Sequence, residues 1–175
     1  MLESLKLPLR IYPNLRSSFN KIIMKELTKF SIAVRESTLK RLRAVPAGYE
    51  NWRLDKDSMS VADLAQHIID CDHALIKSYQ TNNLGPNLGM AHSVDIKKED
   101  DMQKLIDNLE ETKNKRAIFI EGLEQEDYAE IIKAERKSGE EQMTLELLIY
   151  KMLDHEIHHR GQLAVYLKMI AKEER

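Results

Sequence analysis

Apolar residues recur at steps of three and four along most of this 175-residue chain, and that spacing is the signature of amphipathic helices rather than strands. Phe19, Ile23, Leu27, Phe30 and Val34 mark one face of a helix predicted from about Leu15 to Ala44, ended by Pro46 and Gly48. Ser60 reads as the N-cap of a second helix, with Asp63 closing a capping box. Val61, Leu64, Ile68, Cys71 and Leu75 form its buried stripe, until Asn82, Asn83, Gly85 and Pro86 break it. A third helix begins near Lys98, carries Met102, Leu105, Ile106, Leu109 and Ile120 inward, and stops at Gly122. Lys137, Ser138, Gly139 and Glu140 read as a turn, after which Thr144 caps a fourth helix with Glu146 in its first turn. No stretch sustains period-two alternation, so no sheet is expected. Only 6 glycines and 4 prolines interrupt a chain that is 32% charged. The expected fold is all-α, a four-helix bundle in a single domain over 1–175, with 1–14 as an N-terminal extension.

Lys plus Arg total 27 and Asp plus Glu 29, a net charge of −2 that argues against a protein built for nucleic acid. Cys71 is the single cysteine, so no internal disulfide and no thiolate cluster can form. Glu3, Lys6 and Arg10 interrupt any signal-peptide core, and no apolar run approaches the roughly 18 residues of a membrane span. A cytoplasmic protein away from membranes is therefore expected, and a small molecule is the expected substrate.

The chemistry is concentrated in the segment D-H-E-I-H-H-R-G-Q-L, residues 154–163. Leu148, Met152, His155, His159, Tyr166 and Ile170 share one helical stripe, so two imidazoles occupy positions that pattern alone would assign to the core. They are one turn apart, about 6 Å along the axis, and both rings can reach one ion between them. A lone inward histidine is ordinarily a hydrogen-bonded core residue; a pair needs partners for four ring nitrogens. His67, on the flank of the second helix's inward face, offers a third ligand from a neighbouring helix. Three histidines with open positions are the pattern of a catalytic metal site. His73 is expected to face solvent, and His92 sits in a polar loop.

His155, Glu156 and His159 also match H-E-x-x-H literally, with Glu156 where a zinc protease keeps its general base. A protease is disfavoured, because no strand is available to hold an extended peptide. Glu156 stays a candidate catalytic residue, orienting a ligand or a water. The Glu156/His159 spacing is also that of di-iron bundles, but the nearest second pair, Asp70 and His73, has the shorter acid. His158 is assigned to the pocket rim or a subunit contact, Cys71 to the apolar stripe, and Tyr49 and Trp52 to either the pocket wall or the core.

Two segments resemble the DinB-like (DinB/YfiT) superfamily of candidate metalloenzymes. The stretch V-P-A-G-Y-E-N-W-R-L-D-K-D-S-M-S-V-A-D-L-A-Q-H-I, residues 45–68, is similar to that family's run from a Pro and Trp through a Ser-capped helix to its first histidine. H-E-I-H-H-R-G-Q-L, residues 155–163, is similar to its H-x-x-x-H-R-G-Q signature. The extension before Leu15 and the loop from Asn82 to Lys98 depart from the pattern. The resemblance implies an up-down-down-up bundle, often a homodimer, with a metal held at one end by His67, His155 and His159. It implies architectural roles for Arg160, Gly161 and Gln162. The metal would be one divalent ion, zinc or nickel before iron or manganese. Members include thiol S-transferases that use a low-molecular-weight thiol as co-substrate, and a hydrolase-like group. The expectations in order are a thiol S-transferase acting on a small electrophile, a metal-dependent hydrolase, and a non-enzymatic helical dimer with a structural metal.

Overall fold

The computed structural model describes residues 13–85, 93–136 and 139–173. Four long helices carry the fold: α1 (Pro13–Leu42), α2 (Val61–Thr81), α3 (Glu99–Gly122) and α4 (Leu145–Glu173). α1 and α2 each pack against both α3 and α4. The expected start of α2 is present in full. Ser60 Oγ accepts the Asp63 N–H, and Asp63 in turn accepts the Ser60 N–H, an arrangement that contributes about 1 kcal/mol to a helix start. Thr144 Oγ1 caps α4 by accepting from the Leu147 N–H, and Asn82 ends α2 in the left-handed conformation.

The buried face of α1 differs from the expected stripe. Leu27 and Val34 are buried, but Phe30 is 48% exposed, and the inward positions beside them are Thr28, Ser31, Arg35 and Thr38. The side chains of Phe19 and Ile23 lie outside those described. A second difference is a sheet where none was expected. Ile131–Arg136 (β1) pairs antiparallel with Gly139–Thr144 (β2), Ile132 opposite Met143, following a short 3-10 turn at Asp127–Ala129. Each strand has 6 residues, and among the described side chains Ile132, Ala134 and Met143 turn inward, too few to register as alternation. Gly139, at φ +122°, takes a backbone conformation that side chains disfavour and fixes one end of the reversal. Lys137 and Ser138 of the expected turn lie outside the described residues. The Lys133 N–H and C=O also bond to the Asn82 C=O and the Leu84 N–H, tying the hairpin to the end of α2.

The described part of the crossover between α2 and α3 is pinned to the segment before α2 and to the first turn of α2. Asn51 exchanges two bonds with the Ile96 backbone, and Asp63 Oδ1 accepts the Val94 N–H.

Buried apolar side chains form two clusters. One gathers Leu27, Leu75, Ile120, Leu148 and Leu153 with the hairpin residues Ile132 and Met143. The other gathers Leu39, Leu64, Leu105, Leu109 and Leu163, with Trp52 against its edge. On every helix a group of polar residues lies between the two, so the core is interrupted by a polar layer: Arg35 and Thr38 from α1, His67 and Asp72 from α2, Thr112 and Arg116 from α3, and Glu156 and His159 from α4.

Candidate metal centre

Part of that layer is a four-residue ion cluster with one charge from each helix. Arg35 Nε and Nη2 donate to the two Glu156 oxygens at 2.8 and 3.0 Å, and Nη2 also donates to Asp72 at 2.7 Å. Arg116 Nη1 donates to both Glu156 and Asp72, at 2.6 and 2.9 Å. Further guanidinium hydrogens go to Thr112, the Leu109 carbonyl and Ser31, while Thr38 donates to Glu156. Two cations and two anions cancel, and each is almost completely buried. Burial alone would raise the Glu156 pKa, but Arg116 and Arg35 outweigh it and hold the carboxyl at about 2.

The other part of the layer is the histidine group. α2 supplies His67, and α4 supplies His155 and His159 one turn apart. His67 Nε2 lies 2.8 Å from His155 Nε2, and His159 Nε2 lies 2.9 Å from the same atom. The three rings meet edge to face, with centroids 4.4 to 5.0 Å apart. His67 and His159 are buried and His155 half-buried. His159 Nδ1–H donates to Gln162 Oε1 at 2.7 Å, which leaves the His159 Nε2 lone pair facing the group. Burial disfavours the charged imidazolium, pushing His155 below its ordinary value and His159 to about 4. Without a metal, a proton on His155 Nε2 can be donated to one of its two neighbours; with that proton on Nδ1 instead, the Nε2 atoms offer lone pairs to a shared cation. This donor set fits a divalent transition metal, and all three ligand atoms fall within 4.8 Å of one another.

The tertiary structure gives the neighbouring residues their surroundings. The Glu156 oxygens accept from Arg35, Arg116 and Thr38, which places the residue in the ion cluster. The resemblance placed the site at one end of the helices, whereas the triad lies between the two apolar clusters. Gln162 is bonded to a candidate ligand rather than merely architectural. Gly161 is exposed, and a Cβ there would meet nothing within 4 Å, so close packing does not explain it. His73 is exposed as expected, and His92 lies outside the described residues. His158 is exposed, with its ring against His159. Trp52 packs edge-on against Tyr166 and donates to Glu173, at the end of α4 beyond the triad. Cys71 Sγ lies 3.8 Å from His67 Nε2, and burial, with Asp72 and Asp70 adding to it, pushes the thiol up to about 12.

Cys71, Asp72, Arg116, His155 and Glu156 line one gap too tight for a water molecule, so the ion cluster and the triad are direct neighbours. A roomier cavity of about 330 Å³, lined by Leu27, Tyr128, Glu146 and Tyr150, shares no residue with the triad.

The DinB family model matches residues 17–172, nearly the whole chain and both motif segments. The chain belongs to the DinB family. The crystal structure of a DinB-like protein, YjoA from Bacillus subtilis, superposes with a TM-score of 0.64 at 20% identity, over 83% of this chain and 92% of that one. At that identity the likeness is one of fold. No protein of curated function matches. No helix among the described residues of this DinB-family chain is long and apolar enough to cross a membrane.

The depressed His159 pKa makes a stability prediction for the metal-free DinB-family protein. An unfolded histidine takes up its proton near pH 6.5 and the folded one only near 4, so between those values the unfolded chain binds more protons. The contribution to stability is therefore complete above about pH 6.5 and is lost as the pH falls toward 4, by about 3 kcal/mol. His155 acts in the same direction. Urea denaturation at stepped pH should show the decline, and His159→Gln should flatten it. A wild-type midpoint that did not move across this window would contradict the burial effect.

Proposed function

We propose that His67, His155 and His159 hold one divalent transition metal, and that the chain is a metal-dependent thiol S-transferase joining a low-molecular-weight thiol to a small electrophile. The observation that carries this reading is the convergence of three imidazole nitrogens from two helices inside a buried polar layer. Three protein ligands leave coordination positions for an exogenous group. A bound divalent metal supplies Lewis acidity, lowering the pKa of a thiol or water held beside it.

The surrounding residues favour a thiol over water. Attack by water is ordinarily assisted by a general base, and Glu156, the carboxylate that the H-E-x-x-H pattern nominates, already accepts from two guanidiniums and a hydroxyl. A thiol is acidic enough to ionise beside a metal without one. In the metal-free protein burial, with Asp72 and Asp70 adding to it, holds the Cys71 proton at neutral pH, and the thiol of this reading is an exogenous one. The ligands of this reading need no deprotonation at neutral pH, because burial keeps His155 and His159 uncharged. The up-down-down-up run of the helices belongs to the same reading. It is supported by the order in which α1 to α4 visit the two apolar clusters. A homodimer also belongs to it, and exposed Leu147 and Val165 on α4 are apolar surface it would cover.

Cobalt substitution tests the proposal. A thiol entering the coordination shell of the cobalt protein should add an intense sulfur-to-metal charge-transfer band that is missing in His159→Ala. Turnover of a generic electrophile should then need both metal and thiol. Activity that needs metal but no thiol would move the assignment to a hydrolase. A spectrum indifferent to every thiol and electrophile, with the ion affecting only the melting temperature, would mark a structural metal in a helical dimer.

A further inference from the structure

We infer that Gln162 is a positioning residue that selects the His159 tautomer and so presents the His159 Nε2 lone pair to the metal site. A neutral imidazole carries its proton on either nitrogen, and only the bare one can ligate. Gln162 lies three residues beyond His159 on α4, where helix geometry makes the two side chains neighbours. Its Oε1 is 2.7 Å from His159 Nδ1, and an amide oxygen only accepts. The proton is therefore held on Nδ1, and Nε2, 2.9 Å from His155 Nε2, is bare. With His159 buried, solvent does not set the tautomer, and the partner at the other nitrogen, His155 Nε2, can either accept or donate, so the amide oxygen decides.

The choice of an amide also has a consequence. A carboxylate at this place would orient the ring equally well, but its charge would favour the imidazolium, which cannot ligate. Glutamine gives the orientation and leaves the ring neutral. Outer partners of this kind typically alter metal affinity by 10- to 100-fold, which gives the residue its expected scale.

The inference rests on the metal-site reading for its purpose, but its first test needs no metal. Ring-nitrogen chemical shifts of His159, measured in the metal-free full-length protein at about pH 7.5 where the ring is neutral, should report the proton on Nδ1. In Gln162→Leu the population should move toward Nε2–H, and zinc affinity, by competition with a chromophoric chelator, should fall about 10- to 100-fold. Gln162→Glu keeps the acceptor and should keep the Nδ1 proton. If circular dichroism shows the leucine variant unfolded, Gln162→Met, of equal length, replaces it. A wild-type His159 protonated on Nε2 would overturn the inference, as would a leucine variant unchanged in both tautomer and zinc affinity. A wild-type protein that binds no zinc yet holds the Nδ1 proton through Gln162 would overturn the metal reading and leave the tautomer assignment standing.

Discussion

Replacing Glu156 with glutamine should destabilise the fold by about 3–5 kcal/mol, the usual cost of removing one partner from a buried ion pair. The change leaves Arg35 and Arg116 sharing Asp72 alone, a net positive charge in a layer from which water is excluded. For a chain of this size that loss lowers the melting temperature by roughly 10 °C. Asp72→Asn should behave alike, because Asp72 faces the same two guanidiniums. The double change Glu156→Gln with Arg116→Met should recover part of the loss by restoring neutrality, which separates a charge effect from a packing effect. A Glu156→Gln protein as stable as wild type but without turnover would return Glu156 to the role of catalytic base.

His67→Ala, His155→Ala and His159→Ala should each weaken zinc binding by on the order of a hundredfold or more, since each removes one ligand from a three-ligand set. His73→Ala, on the exposed side of α2, should bind as wild type does. Thermal denaturation gives a second measure. Zinc at about a hundred times its dissociation constant adds about 2.7 kcal/mol to a protein that binds only when folded, so the wild-type melting temperature should rise and those of the ligand variants should not. Equal zinc affinity across the three variants and wild type would remove the site assignment. An effect confined to His155 and His159 would instead leave an α4-only site, with His67 a core histidine.

Several features of the protein were set by local chemistry and are legible along the chain. Helix period places Leu64, Ile68 and Leu75 on one stripe of α2. A serine with an aspartate three residues on makes a helix start wherever it occurs, and a one-turn spacing puts His155 beside His159 in any helix. Those relations span at most a few residues, so the nearest neighbours of each side chain are known before the chain folds. The inward flank of α2 nominated His67, the family signature named the same residue, and the structure brings all three together.

What only the tertiary structure decided are the meetings between residues far apart in sequence. Arg35 and Glu156 are 121 positions apart, and nothing local marks an arginine as one that will be buried. On a helical wheel Arg35, Ser31 and Thr38 pass for the solvated face of α1, which is why Phe30 was assigned inward and is found exposed. Polar residues can face a core only when partners from other helices satisfy them, and those partners are fixed by how the four helices dock. The same holds for the hairpin, whose three inward residues have meaning only against the apolar cluster they complete. The sequence by itself therefore determined the helices and nominated the three candidate ligands. The packing decided that a polar layer divides the core, that Glu156 is bonded to two arginines within that layer, and that the three imidazoles meet beside them.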